Sequence, residues 1–305
     1  MESEGRTKLL PLKSDVVFKM VFGDRRHGKV LRAFLISALD IPGDEYSAIS
    51  LIDTHLERDL PGGKLGILDV RVETKSGHLI DVEIQLHDAP FVKERVAFYT
   101  CKNLIAQVPS GKGYDKIRRA ITIAIFGYDF LPGESVYQHV FRLYDPASGT
   151  LLTDAMEIRT LELGKLPGAG ESGREEALLG WLRLIRSEES EEIEMLAARS
   201  PEMGEAVTIL KELSADERAR LIFEAREKAR MDELARMYGA RAEGLAEGLA
   251  EGMGKGINKG KAEGKAEMAK ILLSKGISHD IIAESSGLSL NEIEALASHT
   301  PPVGK

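Results

Sequence analysis

Cysteine and long apolar runs are scarce in this sequence, and each shortage excludes a class of protein. Cys101 is the one cysteine among 305 residues, so neither an internal disulfide nor a cysteine-rich zinc site can form. The longest uninterrupted apolar runs, such as IAIF, fall far short of the ~20 residues that a bilayer-spanning helix needs. The first residues, MESEGRTKLLPLKSD, contain no apolar signal segment. We therefore expect a cytoplasmic protein that has no membrane partner.

Motifs of several enzyme classes are absent as well. The seven histidines are scattered and none forms an HExxH pair, so no zinc protease is indicated. No GxxxxGK[ST] loop is present, which argues against ATP-driven chemistry. The net charge of −8 argues against non-specific binding of nucleic acid by the whole surface, although it leaves room for a local basic patch.

The first half of the chain has a mixed pattern of helices and strands. Helical spacing follows Ser14 in DVVFKMVF and recurs in KVLRAFLISAL and in APFVKERVAFYTCKNLIAQV, up to Pro109. Strands are predicted at 49–56, in ILDVRV, LIDVEIQ, AITIAIF, YQHVFRLYD and EIRTLEL, with turn-like PASG and LLTDAM between the last two. This order predicts one α/β domain over residues 1–168, with a mixed sheet flanked by helices.

Beyond this domain the composition is that of helices. Residues 169–240 are dense in helix formers and charges, and Ser214 with Glu217 has the form of a capping box before a long helix. Residues 271–305 outline a hairpin of two short helices around Gly287. The second of these contains no Lys or Arg, so we expect it to pack against other helices rather than to read DNA.

Residues 241–270 contain a repeat, AEGLAEGLAEGMGKGINKGKAEGK, in which glycine recurs every four residues. Each interior glycine costs a helix ~1 kcal/mol relative to alanine, so the segment would suit a flexible linker. Alternatively it is a helix whose Gly/Ala stripe lets another helix approach closely, and we favour this second interpretation. Its acidic first half would match its basic second half in an antiparallel pair, which predicts a homo-oligomer assembled through the C-terminal helices.

The charged residues of ILDVRVETKSGHLIDVEIQ, at 67–85, all occupy odd positions. A three-residue loop, KSG, pairs odd positions with odd ones across an antiparallel hairpin, and Gly77 suits the left-handed conformation that such a loop requires. This register places Asp69 opposite Glu83, with Cα atoms ~4.5–5.5 Å apart.

Two carboxylates this close repel each other unless a cation neutralises them. Mg²⁺ (or Mn²⁺) suits hard oxygen ligands such as Asp69 and Glu83 and leaves positions for water and phosphate. Gln85, on the same face, would orient a water, and Arg71 opposite Asp81 is interpreted as a structural cross-strand pair. The alternative is an ordinary hairpin with one wet, charged face.

A basic stretch follows the hairpin. Between residues 93 and 119 the chain has seven cations and two carboxylates, an excess of five positive charges in a chain of −8. A phosphate backbone is the natural partner of such a stretch, which favours the metal site over the wet face and predicts DNA as the partner. The cations are Lys93, Arg95, Lys102, Lys112, Lys116, Arg118 and Arg119.

Together these features resemble a known family. An Asp, a hairpin and then Glu-x-Gln is similar to the core of the PD-(D/E)XK nucleases, with Gln85 in place of the usual Lys. More specifically, the chain resembles the Rpn family of recombination-promoting nucleases, also described as PD-(D/E)XK nuclease family transposases. The similar segments are DVVFKMVFG, ILDVRV, LIDVEIQ, KERVAFY, FRLYD and the glycine-spaced tail that ends in IAESSGLSLNEIEAL. The resemblance implies a restriction-endonuclease-like domain followed by an all-α C-terminal region.

The resemblance also implies a set of site residues. They are the metal ligands Asp69 and Glu83, then Gln85 at the position of the catalytic Lys, and Asp15, Arg95 and Tyr99 around the metal. Arg95 and Tyr99 lie four residues apart and so share one helix face. Asp15 would otherwise serve only the N-terminus of its helix, and Tyr99 would otherwise be a core residue.

The function implied is a Mg²⁺-dependent DNA endonuclease linked to recombination or transposition. The alternative is a catalytically weak DNA-binding or scaffold protein that keeps the nuclease fold. Gln85 favours this alternative in one respect, because the replacement of Lys by Gln removes a cation and a proton donor.

Overall fold

A computed structural model describes most of the chain, namely residues 8–52, 55–56, 66–67, 70–108, 113–168 and 174–298. Two residues of the predicted site, Asp69 and Lys112, lie outside the described residues. The chain divides into two compact units, residues 1–227 and 228–305.

The first unit contains a mixed sheet and helices on both of its faces. Its central sheet has six strands in the order β1-β4-β5-β6-β8-β7, and β2 with β3 forms a separate two-stranded sheet. The strands are β1 (Ser50–Leu51), β2 (His55–Leu56), β3 (Gly66–Ile67), β4 (Val70–Glu73), β5 (Leu79–Gln85), β6 (Ala120–Phe126), β7 (Gln138–Tyr144) and β8 (Leu151–Glu162). The first helices are α1 (Asp15–Phe22), α2 (Gly28–Ala38) and α3 (Val92–Ile105). This architecture confirms the predicted restriction-endonuclease-like fold class.

The hairpin of β4 and β5 has the predicted register. Val70 pairs with Val82 and Arg71 with Asp81, in antiparallel orientation. Beyond the strand ends, the Thr74 N–H donates to the His78 carbonyl at 3.0 Å, which leaves the three-residue loop 75–77. Gly77 in this loop adopts a φ of 83°, which an L side chain rarely tolerates. Strands β5, β6 and β8 then run parallel, and all seven residues of β6 are buried, as its continuous apolar sequence predicts.

The two faces of the sheet pack against different helices. The even-numbered residues of β5 join the main core with α1 and α2, where Phe22 and Phe34 also contact the ring of Trp181. The opposite face is covered by α3, whose Val92 and Val96 pack against residues of β6. The odd-numbered residues of β5 lie on this second face, because they share it with Thr122 and Ala124 of β6 in the strand register.

Helices follow the sheet from residue 174 onward. They are α4 (Arg174–Arg186), α5 (Ser190–Ala197), α6 (Pro201–Ala215), α7 (Glu217–Ser274), α8 (His279–Ser286) and α9 (Leu290–Ser298). The glycine repeat lies within α7 and is helical throughout. In the second unit a small apolar cluster joins the end of α7 to α8 and α9 through Ala269, Ile282 and Ile293. No helix among the described residues is long and apolar enough to cross a membrane.

Three local predictions were wrong. The strand predicted at 49–56 is two short pieces in different sheets, and β8 begins at Leu151, so that LLTDAM is strand rather than turn. The N-cap of α7 is Asp216, which accepts a hydrogen bond from the Ala219 N–H at 2.7 Å. Ser214 lies within α6. Its hydroxyl donates to the Leu210 carbonyl and accepts from the Leu10 N–H, so it does not cap α7.

Candidate active site

The odd face of β5 carries two buried carboxyl groups. Asp81 is 0% exposed and Glu83 is 4% exposed, under α3. The alternative of a wet face is therefore wrong for β5, whose charged side is covered by α3, although Glu73 of β4 is exposed. Gln85, the last residue of β5, is half-buried on the same face.

The Glu83 carboxyl group is held in an environment that disfavours its charge. Burial raises the pKa of Glu83 above its ordinary value of 4.5, although the Arg95 guanidinium and the neighbouring Asp81 side chain act in the opposite direction. Two carboxyl groups buried on one strand face gain from a cation that offsets their charge.

Helix α3 brings one predicted site residue to this pair. The Arg95 Nη2 lies 4.0 Å from the Glu83 Oε2, and the Arg95 side chain is 40% exposed. Tyr99 lies one turn further along α3, is half-buried, and packs its ring edge-on against Phe98. Arg95 therefore reaches the buried carboxylates from the solvent side.

Asp15 forms an ion pair with Arg226 of α7. Its Oδ2 accepts hydrogen bonds from the Arg226 Nε at 2.8 Å and Nη2 at 2.5 Å, and its Oδ1 accepts from the Val16 N–H. These contacts fasten the start of α1 to the first turns of α7, and they serve the α1 N-terminus as the alternative interpretation proposed.

The predicted basic residues do not form one uniform surface. Lys93 is exposed, with its Nζ 5.5 Å from the centre of the Phe130 ring, and Lys116 is paired with Asp115 at 3.4 Å. Lys102 is half-buried, and Arg118 is exposed and bonds to backbone carbonyls of its own loop. Arg119 is instead committed to Glu157, at 2.6 Å in a buried ion cluster.

That cluster is a structural feature that the sequence gave no sign of. Glu157, 1% exposed, accepts hydrogen bonds from Arg119, Arg142 and Arg159 at 2.6, 2.7 and 2.6 Å. Arg159 also donates to the Ala38 carbonyl at the end of α2, at 2.8 Å. The cluster therefore connects β6, β7, β8 and α2 on the sheet face opposite α3.

Asp81 lies opposite Arg71, as the sequence predicts, and it also shares a face of β5 with Glu83, two residues further on. Two other polar residues on this side of the sheet were missed by sequence reasoning. Burial, together with the charge of Asp88, raises the pKa of Tyr128 to about 12, although the charge of Arg95 acts in the opposite direction. No sequence signal identifies Asn103 of α3, which is buried and whose side-chain amide has no hydrogen-bond partner within the described part of the chain.

The side chains of this face fit a divalent cation. Glu83 and Asp81 offer hard oxygen donors, and both side chains are buried on the same face of β5. Within the described ranges no three His, Cys, Asp or Glu side chains form a closed metal cage. An ion that keeps most of its waters and takes one or two carboxylates, as Mg²⁺ does, suits such a donor set.

A mixed sheet with helices on both faces and an acidic pair on a central strand next to a hairpin defines the nuclease-like class of α/β proteins. The family model of the PD-(D/E)XK nuclease family transposases matches residues 12–240, and the chain belongs to this family. No curated protein and no solved structure matches the chain.

Proposed function

We propose that the protein is a metal-dependent DNA endonuclease whose active site is the buried carboxyl face of β5. One observation carries the proposal: Glu83 and Asp81 are buried together beneath α3, and Arg95 approaches Glu83 to 4.0 Å. Carboxyl groups whose pKa is raised by burial, as that of Glu83 is, cluster at functional sites. Membership of a nuclease family supports DNA as the substrate.

Asp69 is the second metal ligand in this proposal. It directly precedes Val70 in the sequence, and the strand partner of Val70 is Val82, which directly precedes Glu83. The register of the described pairs thus supports the pairing of Asp69 with Glu83 that the sequence predicts. Asp69 and Glu83 would hold Mg²⁺ (or Mn²⁺), which when bound would acidify a water and offset the charge of the scissile phosphate.

The other residues of the proposed site would set the charge of Glu83 and the orientation of the attacking water. Arg95 would hold the Glu83 carboxylate in its ionised form, and Gln85 would orient the attacking water through its amide. Tyr99, one turn beyond Arg95, would line the same approach. Phosphates of the DNA backbone would contact the exposed cations of the basic stretch, above all Lys93 and Arg118.

The alternative function is a catalytically weak DNA-binding scaffold, and one observation favours it. Gln85 supplies no positive charge and no acidic proton where the superfamily usually has Lys. Both functions are compatible with a homo-oligomer formed through the C-terminal helices, in the cytoplasm, which we also propose.

A cleavage assay separates these functions. Plasmid DNA should be nicked or cut with Mg²⁺ or Mn²⁺ and left intact with EDTA. Asp69→Asn and Glu83→Gln should each lower the rate at least about 100-fold, because each removes a charged ligand. The matched control is Glu73→Gln, which neutralises an exposed acid of the same hairpin.

Two results would contradict the proposal. One is cutting by Asp69→Asn at the parental rate, which would refute the assigned active site. The other is binding of DNA without cutting by the parent, together with cutting by Gln85→Lys, which would establish the scaffold as the natural state.

A further inference from the structure

Phe91 has an unusual backbone and an unusual exposure. It has φ 62° and ψ 28°, and it is the only non-glycine residue with positive φ in the described part of the chain. This left-handed conformation brings the Cβ of an L-residue against its own carbonyl oxygen and is unfavourable. The side chain offers no compensating burial, because Phe91 is 77% exposed. Both the left-handed backbone of Phe91 and the exposure of its apolar ring are therefore unfavourable for stability.

Phe91 lies one helical turn before Arg95, the residue of α3 that approaches Glu83. It is the N-cap residue of α3, and its carbonyl accepts a hydrogen bond from the Arg95 N–H at 2.9 Å. Arg95 is the residue that approaches Glu83. The exposed ring therefore begins the same helical turn that carries the guanidinium of the site, and the exposed ammonium group of Lys93 is two residues away.

We propose that Phe91 stacks on an unpaired base of the DNA and that Lys93 contacts the adjoining phosphate. The inference rests on the proposed nuclease function and assigns its substrate class, DNA with an exposed or displaced base next to the cut. Every base has a π-face, so an aromatic platform accepts any sequence, and a nearby cation tracks the backbone. Strained residues that persist without burial are found at sites that bind or catalyse.

Phe98 provides the matched comparison. It is also an exposed aromatic of α3, at 53% exposure, but it lies inside the helix and its ring packs against Tyr99. If α3 presented a general apolar face to another protein, Phe91 and Phe98 would both contribute. If the ring at the start of α3 stacks on a base, only substitution of Phe91 weakens DNA binding.

The experiment measures binding of fluorescent DNA by anisotropy, with Ca²⁺ in place of Mg²⁺, to single strands and to a fully paired duplex. Phe91→Ala should weaken binding of the single strand about tenfold and of the duplex less, and Phe91→Trp should retain it. The slope of log K against log salt should stay unchanged in Phe91→Ala. In Lys93→Gln the magnitude of this slope should be smaller by about one, because the variant loses a phosphate contact. Phe98→Ala should bind as the parent does.

A stability measurement keeps a folding defect apart from a binding defect. Phe91→Gly should lose affinity yet melt no lower than the parent, because glycine adopts the left-handed conformation without strain. Equal binding by the parent and Phe91→Ala would overturn the inference while leaving the nuclease in place. An unchanged affinity with a lower mass of Phe91→Ala in light scattering would assign the ring to a protein contact instead. If the parent binds no DNA, the proposed function fails and the inference fails with it.

Discussion

At the scale of single residues, the candidate site contains a buried carboxyl group, Glu83, whose charge opposes folding. The pKa of Glu83 is raised in the folded protein, mainly by burial, so the folded state holds the proton more tightly than the unfolded state. Its contribution to stability therefore declines as the pH rises from its ordinary value of 4.5 through the raised value. At neutral pH an ionised Glu83 opposes folding.

Glu83→Gln should consequently stabilise the protein while it abolishes cleavage. The neutral amide can donate a hydrogen bond to Asp81 without an added proton. We expect the melting temperature to rise by about 2–4 °C at pH 8, which is about 1 kcal/mol in a unit of this size, and to rise less at pH 5. Thermal melting of parent and variant at both pH values checks this, with Glu73→Gln as the neutral control. A lower melting temperature at pH 8 would show that ionised Glu83 stabilises the fold.

Glu157 presents the opposite case. Burial would raise its pKa, but hydrogen bonds and charges from Arg159, Arg142 and Arg119 outweigh burial and hold the pKa below its ordinary value of 4.5. The stability that Glu157 contributes is complete above pH 4.5 and is lost as the pH falls through the lowered value.

Glu157→Gln should destabilise the first unit by about 3–5 kcal/mol, since it leaves buried guanidinium groups without their counter-charge. Urea denaturation at pH 7 measures this loss. The same substitution should cost less as the pH falls through the lowered pKa of Glu157, because the parental carboxylate then loses its charge as well. A loss below about 1 kcal/mol at pH 7 would mean that Asp40, which pairs with Arg159 at 2.8 Å, suffices for the cluster.

At the scale of elements, local signals predicted well those features that local physics determines. The loop of the β4–β5 hairpin needed a residue with positive φ, Gly77 is the residue that supplies it, and the register followed. The apolar run of β6 predicted a strand buried on both faces. The predicted N-cap Ser214 failed for a non-local reason, because its hydroxyl accepts a hydrogen bond from Leu10, 204 residues away in the chain.

Helix α7 shows how an element can be weak by composition and still form. No atom lies within 4 Å of where a Cβ would be placed on the repeat glycines Gly244, Gly248 and Gly252. These three glycines therefore give no packing advantage within the described structure, and each lowers helix stability by about 1 kcal/mol relative to alanine.

Gly248→Ala should accordingly make the repeat harder to open. We expect backbone amides of residues 241–255 to exchange with solvent about fivefold more slowly, because 1 kcal/mol of local stability changes the open population by that factor. Hydrogen exchange read by mass spectrometry measures it, and Ala250→Gly should speed exchange by a similar factor. Unchanged exchange in both variants would show that these amides are not held in a helix.

At the scale of the whole molecule, the repeat provides the surface for the proposed homo-oligomer. A large apolar residue follows each of the first glycines, and all four of these side chains are exposed: Leu245, Leu249, Met253 and Ile257. Apolar side chains beside glycines let a second helix pack closely, and an exposed run of them on a long helix indicates a partner surface.

The double substitution Leu249→Gln and Met253→Gln should lower the mass measured by light scattering to that of a single chain, 33.4 kDa. It keeps the helix, since Gln is a good helix former. Glu247→Gln, on the same stretch, should leave the mass unchanged. A parental mass in the double variant would refute assembly through this surface.

Features that depend on neighbours along the chain could be predicted from the sequence. Strand alternation placed Asp81, Glu83 and Gln85 on one face, turn chemistry fixed the hairpin register, and motif order identified the family. The tertiary structure decided what covers that face. Helix α3 buries Glu83 and brings Arg95 to it, and this burial raises the pKa of the Glu83 carboxyl group. Desolvation depends on packing between distant segments, and for that reason no periodicity in the sequence could predict it.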